Sequence, residues 1–241
     1  MLVYEDYDYV DLQTFKNKRR NKKQKRKPPS NGLSLLHIQP KTKNQQAAFE
    51  AYSKDKHCVL HGVAGTGKTF ILSALALQEV LNHSKQKLIY IRSVVPSRDI
   101  GFLPGNEKEK AKVYEAPYQN IIQELTDRGD AYKILKDKNQ LEFMTTSFLR
   151  GTTIDNAVVI VDESQNMTFQ ELDTIITRIG QNTKICIAGD FRQSDLRSSG
   201  LMKFMSILQK IKNFEFVDFN TNDIVRSGLV KDYIIAKEMY A

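Results

Sequence analysis

Residues Gly62 to Thr69 read Gly-Val-Ala-Gly-Thr-Gly-Lys-Thr, which matches the phosphate-binding pattern G-x-x-x-x-G-K-[ST]. Glycines in such a loop let backbone N–H groups turn towards a polyphosphate, which side chains would obstruct. The pattern predicts that Lys68 reaches the β- and γ-phosphates and that the Thr69 hydroxyl joins the coordination shell of Mg²⁺. We expect a nucleoside triphosphate to be bound by the whole loop: Gly62, Val63, Ala64, Gly65, Thr66, Gly67, Lys68 and Thr69.

The residues on either side of this loop fit the strand–loop–helix arrangement that a phosphate-binding loop requires. Upstream, Cys58–His61 is a short apolar run typical of a buried strand. Downstream, Phe70–Leu77 contains neither glycine nor proline and predicts a buried helix. Such a helix points the unpaired N–H groups of its N-terminus at the bound anion. A chance glycine turn is the alternative interpretation, and this context disfavours it.

Apolar, strand-like runs alternate with helical patterns along the chain. The clearest helix starts at Thr168, where Glu171 three residues later completes a capping box, and Gly180 is its expected C-terminal stop. Alternation of this kind predicts an α/β fold with a parallel sheet, right-handed crossovers and helices on both faces. The six candidate strands are Cys58–His61, Leu88–Ile91, Leu141–Met144, Val158–Val161, Ile185–Ala188 and Phe214–Phe219.

Length and composition fit one globular domain. The chain has 241 residues, of which 41% are hydrophobic and 27% charged, and this length suffices for one sizeable core. No apolar run approaches the roughly 18 to 20 residues of a membrane helix, and the acidic, aromatic start is unlike a secretory signal. Cys58 and Cys186 each lie in a strand-like run, which favours buried, reduced thiols. We therefore expect a cytoplasmic protein with no membrane partner.

The positive charge is concentrated near the N-terminus. Within a net charge of +8, residues 16–27 contribute nine basic side chains and no acidic one, whereas residues 1–15 hold four acidic ones. This self-repelling block predicts a disordered arm, acidic and then basic, over residues 1–30 and a folded domain over residues 31–241. The arm suits the phosphate backbone of a nucleic acid. A solubilising tail and a nuclear import signal are the alternatives.

Two acids end one of the apolar strands. Val158–Val161 is followed directly by Asp162 and Glu163. We expect this strand to lie beside the P-loop strand, where Asp162 would hold Mg²⁺ through water and Glu163 would orient and deprotonate the attacking water. The start of a surface loop is the alternative. An Asp-Glu pair favours hydrolysis over transfer of phosphate to a small molecule.

A third polar group follows the next strand. Residues Ile187–Gln193 read Ile-Ala-Gly-Asp-Phe-Arg-Gln, with the acid and the amide placed after the apolar run. The side chain of Gln193 can donate to a phosphate oxygen while its carbonyl accepts from water. We therefore expect Gln193 to sense the γ-phosphate and its attacking water.

Together these motifs resemble the PhoH family, single-domain relatives of superfamily 1 helicases. The resemblance covers about residues 38–238, and its most diagnostic part is Asp99–Gly105, which is similar to the family's L-G-F-L-P-G signature. The other matching stretches are Lys41–Gln45, Gly62–Thr69, Arg92–Pro96, Arg150–Ile154, Asp162–Asn166, Gly189–Leu196 and Asp223–Val230. The departures from the family pattern are Ser93-Val94-Val95 between Arg92 and Pro96, and Ser227-Gly228 in place of His-Pro.

The resemblance implies a single RecA-like P-loop NTPase domain that hydrolyses ATP with Mg²⁺ and forms a ring, with a hexamer as the expected form. It also implies that Gln45 reads the adenine. Because one domain leaves one side of the γ-phosphate uncovered, we expect Arg226 to act as an arginine finger, and to do so in a neighbour's site rather than its own. A structural surface arginine is the alternative.

An excursion from the core is expected over residues 97–117. Arg92 precedes it and is a candidate contact for the nucleotide phosphate, for nucleic acid or for a neighbouring subunit. Glycines and prolines argue against a long regular helix in the excursion. These residues are Gly101, Pro104, Gly105 and Pro117.

Three functions compete at this point. The leading one is an ATPase that binds RNA or single-stranded DNA and moves or unwinds it as an oligomeric, helicase-like motor. The second is a nucleotide-gated assembly protein with weak ATPase activity, tethered through its basic arm. The third, a small-molecule kinase, is disfavoured by Asp162-Glu163 and by the stretch that ends in Gln193.

Overall fold

A computed structural model describes residues 32–93, 107–149, 151, 153–191 and 200–239, and at positions 107–111 and 148 it describes the backbone alone. The predicted N-terminal arm lies outside the described residues. The strands are β1 (His57–Gly62), β2 (Lys87–Arg92), β3 (Leu141–Thr145), β4 (Ala157–Val161), β5 (Lys184–Gly189) and β6 (Phe214–Phe219). The helices are α1 (Lys43–Ser53), α2 (Lys68–Leu81), α3 (Glu107–Thr126), α4 (Ala131–Asp137), α5 (Phe169–Ile176), α6 (Leu201–Leu208) and α7 (Gly228–Met239).

The described strands form one parallel sheet in the order β3-β2-β4-β5-β1-β6. All six predicted strands are confirmed. The expectation that the strand before Asp162 lies beside the P-loop strand is wrong, because β5 separates β4 from β1. An apolar run in the sequence indicates that a strand is buried, but it does not indicate which strand lies beside it. All carboxyl ends nevertheless lie at one edge, which brings the two motifs together.

Alternate residues of the strands enter two separate cores, as the period of two in a strand requires. On β1, Cys58 and Leu60 pack with α1 to α4, whereas Val59 packs on the opposite face with α5 and α6. The same alternation continues along β2, β4 and β5. The prediction of helices on both faces of a parallel sheet is confirmed.

Residues 107–117, which the sequence predicts to be irregular, form the first half of helix α3, so the prediction is wrong for them. The 20 residues of this helix run through Pro117, a residue that argues against a long helix when the sequence is taken alone. A proline in a helix removes one backbone hydrogen bond and bends the axis. The buried side chains of Tyr118, Ile122 and Leu125, spaced by four and three residues, offset that loss by packing into the core. Positions 94–106 lie outside the described residues.

Helix α5 shows the predicted capping box but ends earlier than predicted. Thr168 accepts from the backbone N–H of Glu171, and the Glu171 carboxylate accepts from the backbone N–H of Thr168. The helix ends at Ile176, not at Gly180, because the chain beyond it extends to pair with Ile154. A Cβ at Gly180 would lie 2.1 Å from a side-chain oxygen of Asp155, so a larger residue there would require that side chain to shift.

The two cysteines face each other across neighbouring strands. Cys58 on β1 pairs in register with Cys186 on β5, and both are buried, free thiols, as predicted. None of the helices in the described ranges has the length and apolar content that a membrane crossing needs.

Candidate nucleotide site

The P-loop turns between β1 and α2 through backbone conformations that favour glycine. Gly62, Gly65 and Gly67 have φ values of 112°, 75° and 83°. Gly62 also has no room for a side chain, because a Cβ would lie 2.0 Å from the carbonyl oxygen of Phe219. The last glycine caps α2 directly before Lys68. The loop therefore leads into a helix N-terminus, the arrangement that binds phosphate.

The side chain of Lys68 folds back onto the backbone of the P-loop. Its Nζ donates to the carbonyl oxygens of Gly62 and Val63 at 2.9 and 2.7 Å. Burial lowers the pKa of Lys68, and the nearby carboxylates of Asp190 and Glu163 oppose that effect. A desolvated ammonium group of this kind is stabilised by added negative charge, which a bound phosphate would supply.

Thr66 holds the loop from the inside. Its hydroxyl is buried and donates to the carbonyl oxygen of Val63 at 3.0 Å, while the N–H of Val63 donates to the Phe219 carbonyl at the end of β6. Ala64 is partly exposed beside it. In this conformation the Thr66 side chain serves the shape of the loop.

Thr69 and Asp162 meet at the carboxyl edge of the sheet. The Thr69 hydroxyl donates to Oδ1 of Asp162 at 2.7 Å, and Oδ2 accepts from the hydroxyl of Tyr118 at 2.9 Å. Burial raises the pKa of Asp162, and the two hydrogen bonds and the charge of Arg92 oppose it. A hydroxyl oxygen beside a carboxylate fits Mg²⁺ that completes its shell with phosphate oxygens and water. Among the described residues, no three His, Cys, Asp or Glu side chains cluster as a self-sufficient metal site.

Glu163 is held in an unusual backbone conformation. Its φ and ψ of 52° and 40° lie in the left-handed region, which non-glycine residues adopt at a cost and often at functional sites. Its Oε2 accepts from the Gln165 side-chain amide at 2.6 Å, and the Oε1 of Gln165 accepts from the backbone N–H of Asp190 at 3.1 Å. Gln165 thus links Glu163, which follows β4, to the backbone of Asp190, which follows β5. The sequence alone did not indicate this role.

Gln45 contacts the P-loop directly. Its Nε2 donates to the Thr66 carbonyl at 2.9 Å, and its Oε1 accepts from the backbone N–H of Lys41 at 2.7 Å. One residue earlier, Asn44 donates to Asp223 at 2.7 Å. The N-terminus of α1 is thereby tied both to the loop and to the segment that follows β6.

That C-terminal segment also lies on the P-loop. The N–H of Val225 donates to the Gly65 carbonyl at 3.1 Å. A Cβ built on Gly65 would lie 3.0 Å from Cγ of Arg226 and 3.2 Å from Cδ1 of Ile234 on α7. Arg226 therefore lies beside the P-loop of its own chain, and the residue is also exposed to solvent.

The remaining predicted residues divide between the site edge and the undescribed segments. Arg92 ends β2, its guanidinium lies 5.5 Å from the ring centre of Tyr114, and its charge acts on Asp162. Gln193 lies outside the described residues. Of the predicted groups, the structure brings Lys68, Thr69, Asp162, Glu163, Gln45, Arg92 and Arg226 to the P-loop edge of the sheet.

The sheet, the glycine loop and the acids after β4 define a P-loop NTPase fold of the RecA-like class. A solved structure, the large terminase of the thermophilic bacteriophage D6E, matches with a TM-score of 0.52 at 13% identity, over 81% of this chain and 50% of that one. A second structure of that terminase, in complex with ADP, matches with a TM-score of 0.50 over 79% of this chain and 48% of that one, at 12% identity. At such identities the likeness shows the fold alone.

Sequence comparison gives the family. The family model for PhoH-like proteins matches residues 37–238. A PhoH-like protein of Synechocystis sp. is 34% identical over 205 residues, 83% of this chain and 62% of that protein. Protein PhoH of Escherichia coli K12 is 34% identical over 173 residues, 70% of this chain and 49% of that protein. The chain belongs to the PhoH-like family and spans about half to three fifths of the length of these two relatives.

Proposed function

We propose that this protein is a Mg²⁺-dependent ATPase that acts on RNA or single-stranded DNA as an oligomeric, helicase-like motor. The observation that carries the ATPase is the 2.7 Å contact between Thr69 and Asp162. It joins the phosphate loop to the acid after β4, and these two side chains would hold the ion. The PhoH-like family and the RecA-like fold support the same activity.

Each residue has a separate task in this proposal. The backbone N–H groups of Gly62–Thr69 and the ammonium group of Lys68 hold the phosphates, and Thr69 and Asp162 would hold Mg²⁺, which neutralises phosphate charge when bound. Glu163 accepts a proton from the attacking water, and Gln165 fixes the position of the Glu163 carboxylate. We keep Gln193 as a proposed sensor of the γ-phosphate and Gln45 as a proposed adenine contact.

Nucleic acid and a ring are the less direct parts of the proposal. The nine basic side chains of residues 16–27 support binding to a phosphate backbone. Helix α7 supports self-association, because Leu229 and Tyr233 are 83% and 68% exposed although the helix lies against the P-loop. A neighbour placed on α7 would therefore contact the helix whose Ile234 lies beside Gly65 of the P-loop. A hexamer is the ring that we propose.

The decisive experiment measures steady-state ATP hydrolysis by the full chain, alone and with RNA, single-stranded DNA and duplex DNA. We expect turnover that single strands stimulate and that Lys68→Ala abolishes. No turnover in the wild-type chain, or equal turnover in Lys68→Ala, would contradict the ATPase. The mass of the native particle, with and without nucleotide, tests the ring.

A nucleotide-gated assembly protein is the second candidate, and the exposed apolar face of α7 is the observation that favours it. It predicts weak ATP turnover that nucleic acid does not change, together with a particle mass that depends on nucleotide. The same two measurements separate it from the motor.

A further inference from the structure

Tyr118 occupies a position that the proposed roles leave unexplained. Its side chain is fully buried on α3, and its hydroxyl donates to Oδ2 of Asp162 at 2.9 Å. The other oxygen of that carboxylate accepts from Thr69. The two oxygens therefore have different donors, one on the P-loop helix and one on α3.

Packing holds the ring of Tyr118 in place. It stacks on Tyr90 of β2 with ring centres 4.2 Å apart and an angle of 22° between the planes. A tyrosine hydroxyl beside a carboxylate oxygen is the donor of the pair, so Tyr118 donates to Asp162. Packing and hydrogen bonding of this kind orient carboxylates that bind metals from the second coordination shell.

We propose that Tyr118 is a positioning residue for the metal site: by holding Oδ2 of Asp162, it keeps Oδ1 on the Thr69 hydroxyl, and Asp162 and Thr69 are the residues that would hold the cation. The inference rests on the proposed function, because it assumes that Asp162 serves Mg²⁺. Without the hydroxyl, Oδ2 is a buried acceptor that lacks this donor, and the carboxylate gains by rotating away from Thr69 to find another one. Loss of such a partner typically weakens metal binding about 10- to 100-fold.

The matched control is Tyr90→Phe. Tyr90 is also fully buried and lies in the same stack, but its hydroxyl donates to Ser73 at 2.8 Å instead of to a carboxylate. Tyr118→Phe and Tyr90→Phe therefore remove the same atoms from neighbouring rings. They differ in whether Asp162 loses a donor.

The experiment titrates Mn²⁺ into the full chain saturated with ADP and follows the free ion by electron paramagnetic resonance. A parallel titration measures the affinity for a fluorescent ADP analogue in EDTA. We expect Tyr118→Phe to weaken Mn²⁺ binding about 10- to 100-fold with unchanged affinity for the analogue in EDTA, and Tyr90→Phe to change neither. In an Asp162→Ala background, Tyr118→Phe should have no further effect.

Equal Mn²⁺ affinity in the two tyrosine variants would overturn the proposal. So would a parallel fall in Mn²⁺ and nucleotide affinity in Tyr118→Phe, because that result describes a structural residue. If the wild-type chain with ADP binds no Mn²⁺, the proposed metal site itself fails, and the role of Tyr118 fails with it.

Discussion

The side-chain amide of Gln45 donates a hydrogen bond to the carbonyl oxygen of Thr66 across 2.9 Å, and this contact ties α1 to the phosphate loop. The other end of the amide accepts from the backbone of Lys41. Gln45 is only 4% exposed. Whatever it contributes to adenine binding, it supports the shape of the loop.

We therefore expect Gln45→Ala to weaken the binding of both ATP and GTP by about 5- to 150-fold, since a buried carbonyl loses a donor worth roughly 1 to 3 kcal/mol. The proposed adenine contact would add a further loss for ATP alone. Fluorescence titrations with analogues of both nucleotides measure this. Gln46→Ala is the control, because the Gln46 side chain donates to Glu50 on the surface of the same helix and not to the loop. Loss of ATP affinity with unchanged GTP affinity would contradict the role in the loop and assign Gln45 to the adenine alone.

Glu163→Gln should separate binding from hydrolysis. The change keeps the size of the side chain and removes the proton acceptor, so turnover should fall about 10²- to 10⁴-fold while ATP still binds. Single-turnover hydrolysis and nucleotide titration measure the two effects. Glu124→Gln, an exposed change on α3, serves as the control. Wild-type turnover in Glu163→Gln would remove Glu163 from the mechanism.

Much of this site follows from local sequence. The P-loop, the six strands and the capping box at Thr168 are encoded by neighbouring residues, because glycine conformations, apolar runs and caps act over a few positions. The order of the strands does not follow from local sequence, which gives no sign that β5 separates β1 from β4.

Tyr118 and Asp162, which are hydrogen-bonded, lie 44 positions apart in the chain. Tyr118 also comes directly after Pro117, a residue that argues against a helix when the sequence is taken alone. Only the packed fold brings Tyr118 and Asp162 together. Gln165 is different, since its place two residues after Glu163 marks it as a candidate. Its bond to the Asp190 backbone depends on β4 and β5 being neighbours, which the sequence does not reveal.

The ionisation of the Glu171 carboxylate should make the stability of the protein depend on pH. Burial alone would raise its pKa, but hydrogen bonds from Thr146 and Thr168 outweigh this effect, and the pKa lies below the ordinary 4.5. A carboxylate with a lowered folded-state pKa stabilises the protein above its unfolded pKa and loses that contribution as the pH falls through the folded value.

Because solvent screens this half-buried carboxylate, Glu171→Gln should lower the free energy of unfolding by about 1 kcal/mol or less near neutral pH, and by a smaller amount near pH 4. Urea unfolding at the two pH values measures the difference. Glu50→Gln, an exposed change on α1, gives the baseline. A deficit of equal size at both pH values would show that the charge of Glu171 contributes nothing.

Deleting residues 1–30 should weaken nucleic-acid binding and flatten its dependence on salt, with basal ATPase activity largely unchanged. For a single strand, the slope of log affinity against log salt should fall by roughly 0.7 for every phosphate that the shortened chain no longer neutralises. Fluorescence anisotropy with a labelled single strand at several salt concentrations measures the slope. An unchanged slope would make the basic block a solubility tail.

Arg226 gives the last prediction. An arginine finger is typically worth about 10³ to 10⁵ in turnover, so Arg226→Ala should bind ATP and be nearly inactive. The sequence alone favours action in a neighbouring subunit, but the Arg226 side chain lies against Gly65 of its own P-loop, which favours action in its own site.

Mixing Arg226→Ala with Lys68→Ala protein distinguishes the two arrangements. If Arg226 serves its own site, every subunit in the mixture lacks one essential group, and no activity should return. If it serves a neighbour, an interface can pair the intact P-loop of one variant with the intact arginine of the other, and part of the activity should return. Native mass measurements establish first that subunits exchange. Recovered activity would therefore refute the own-site role and show that hydrolysis needs contact between subunits.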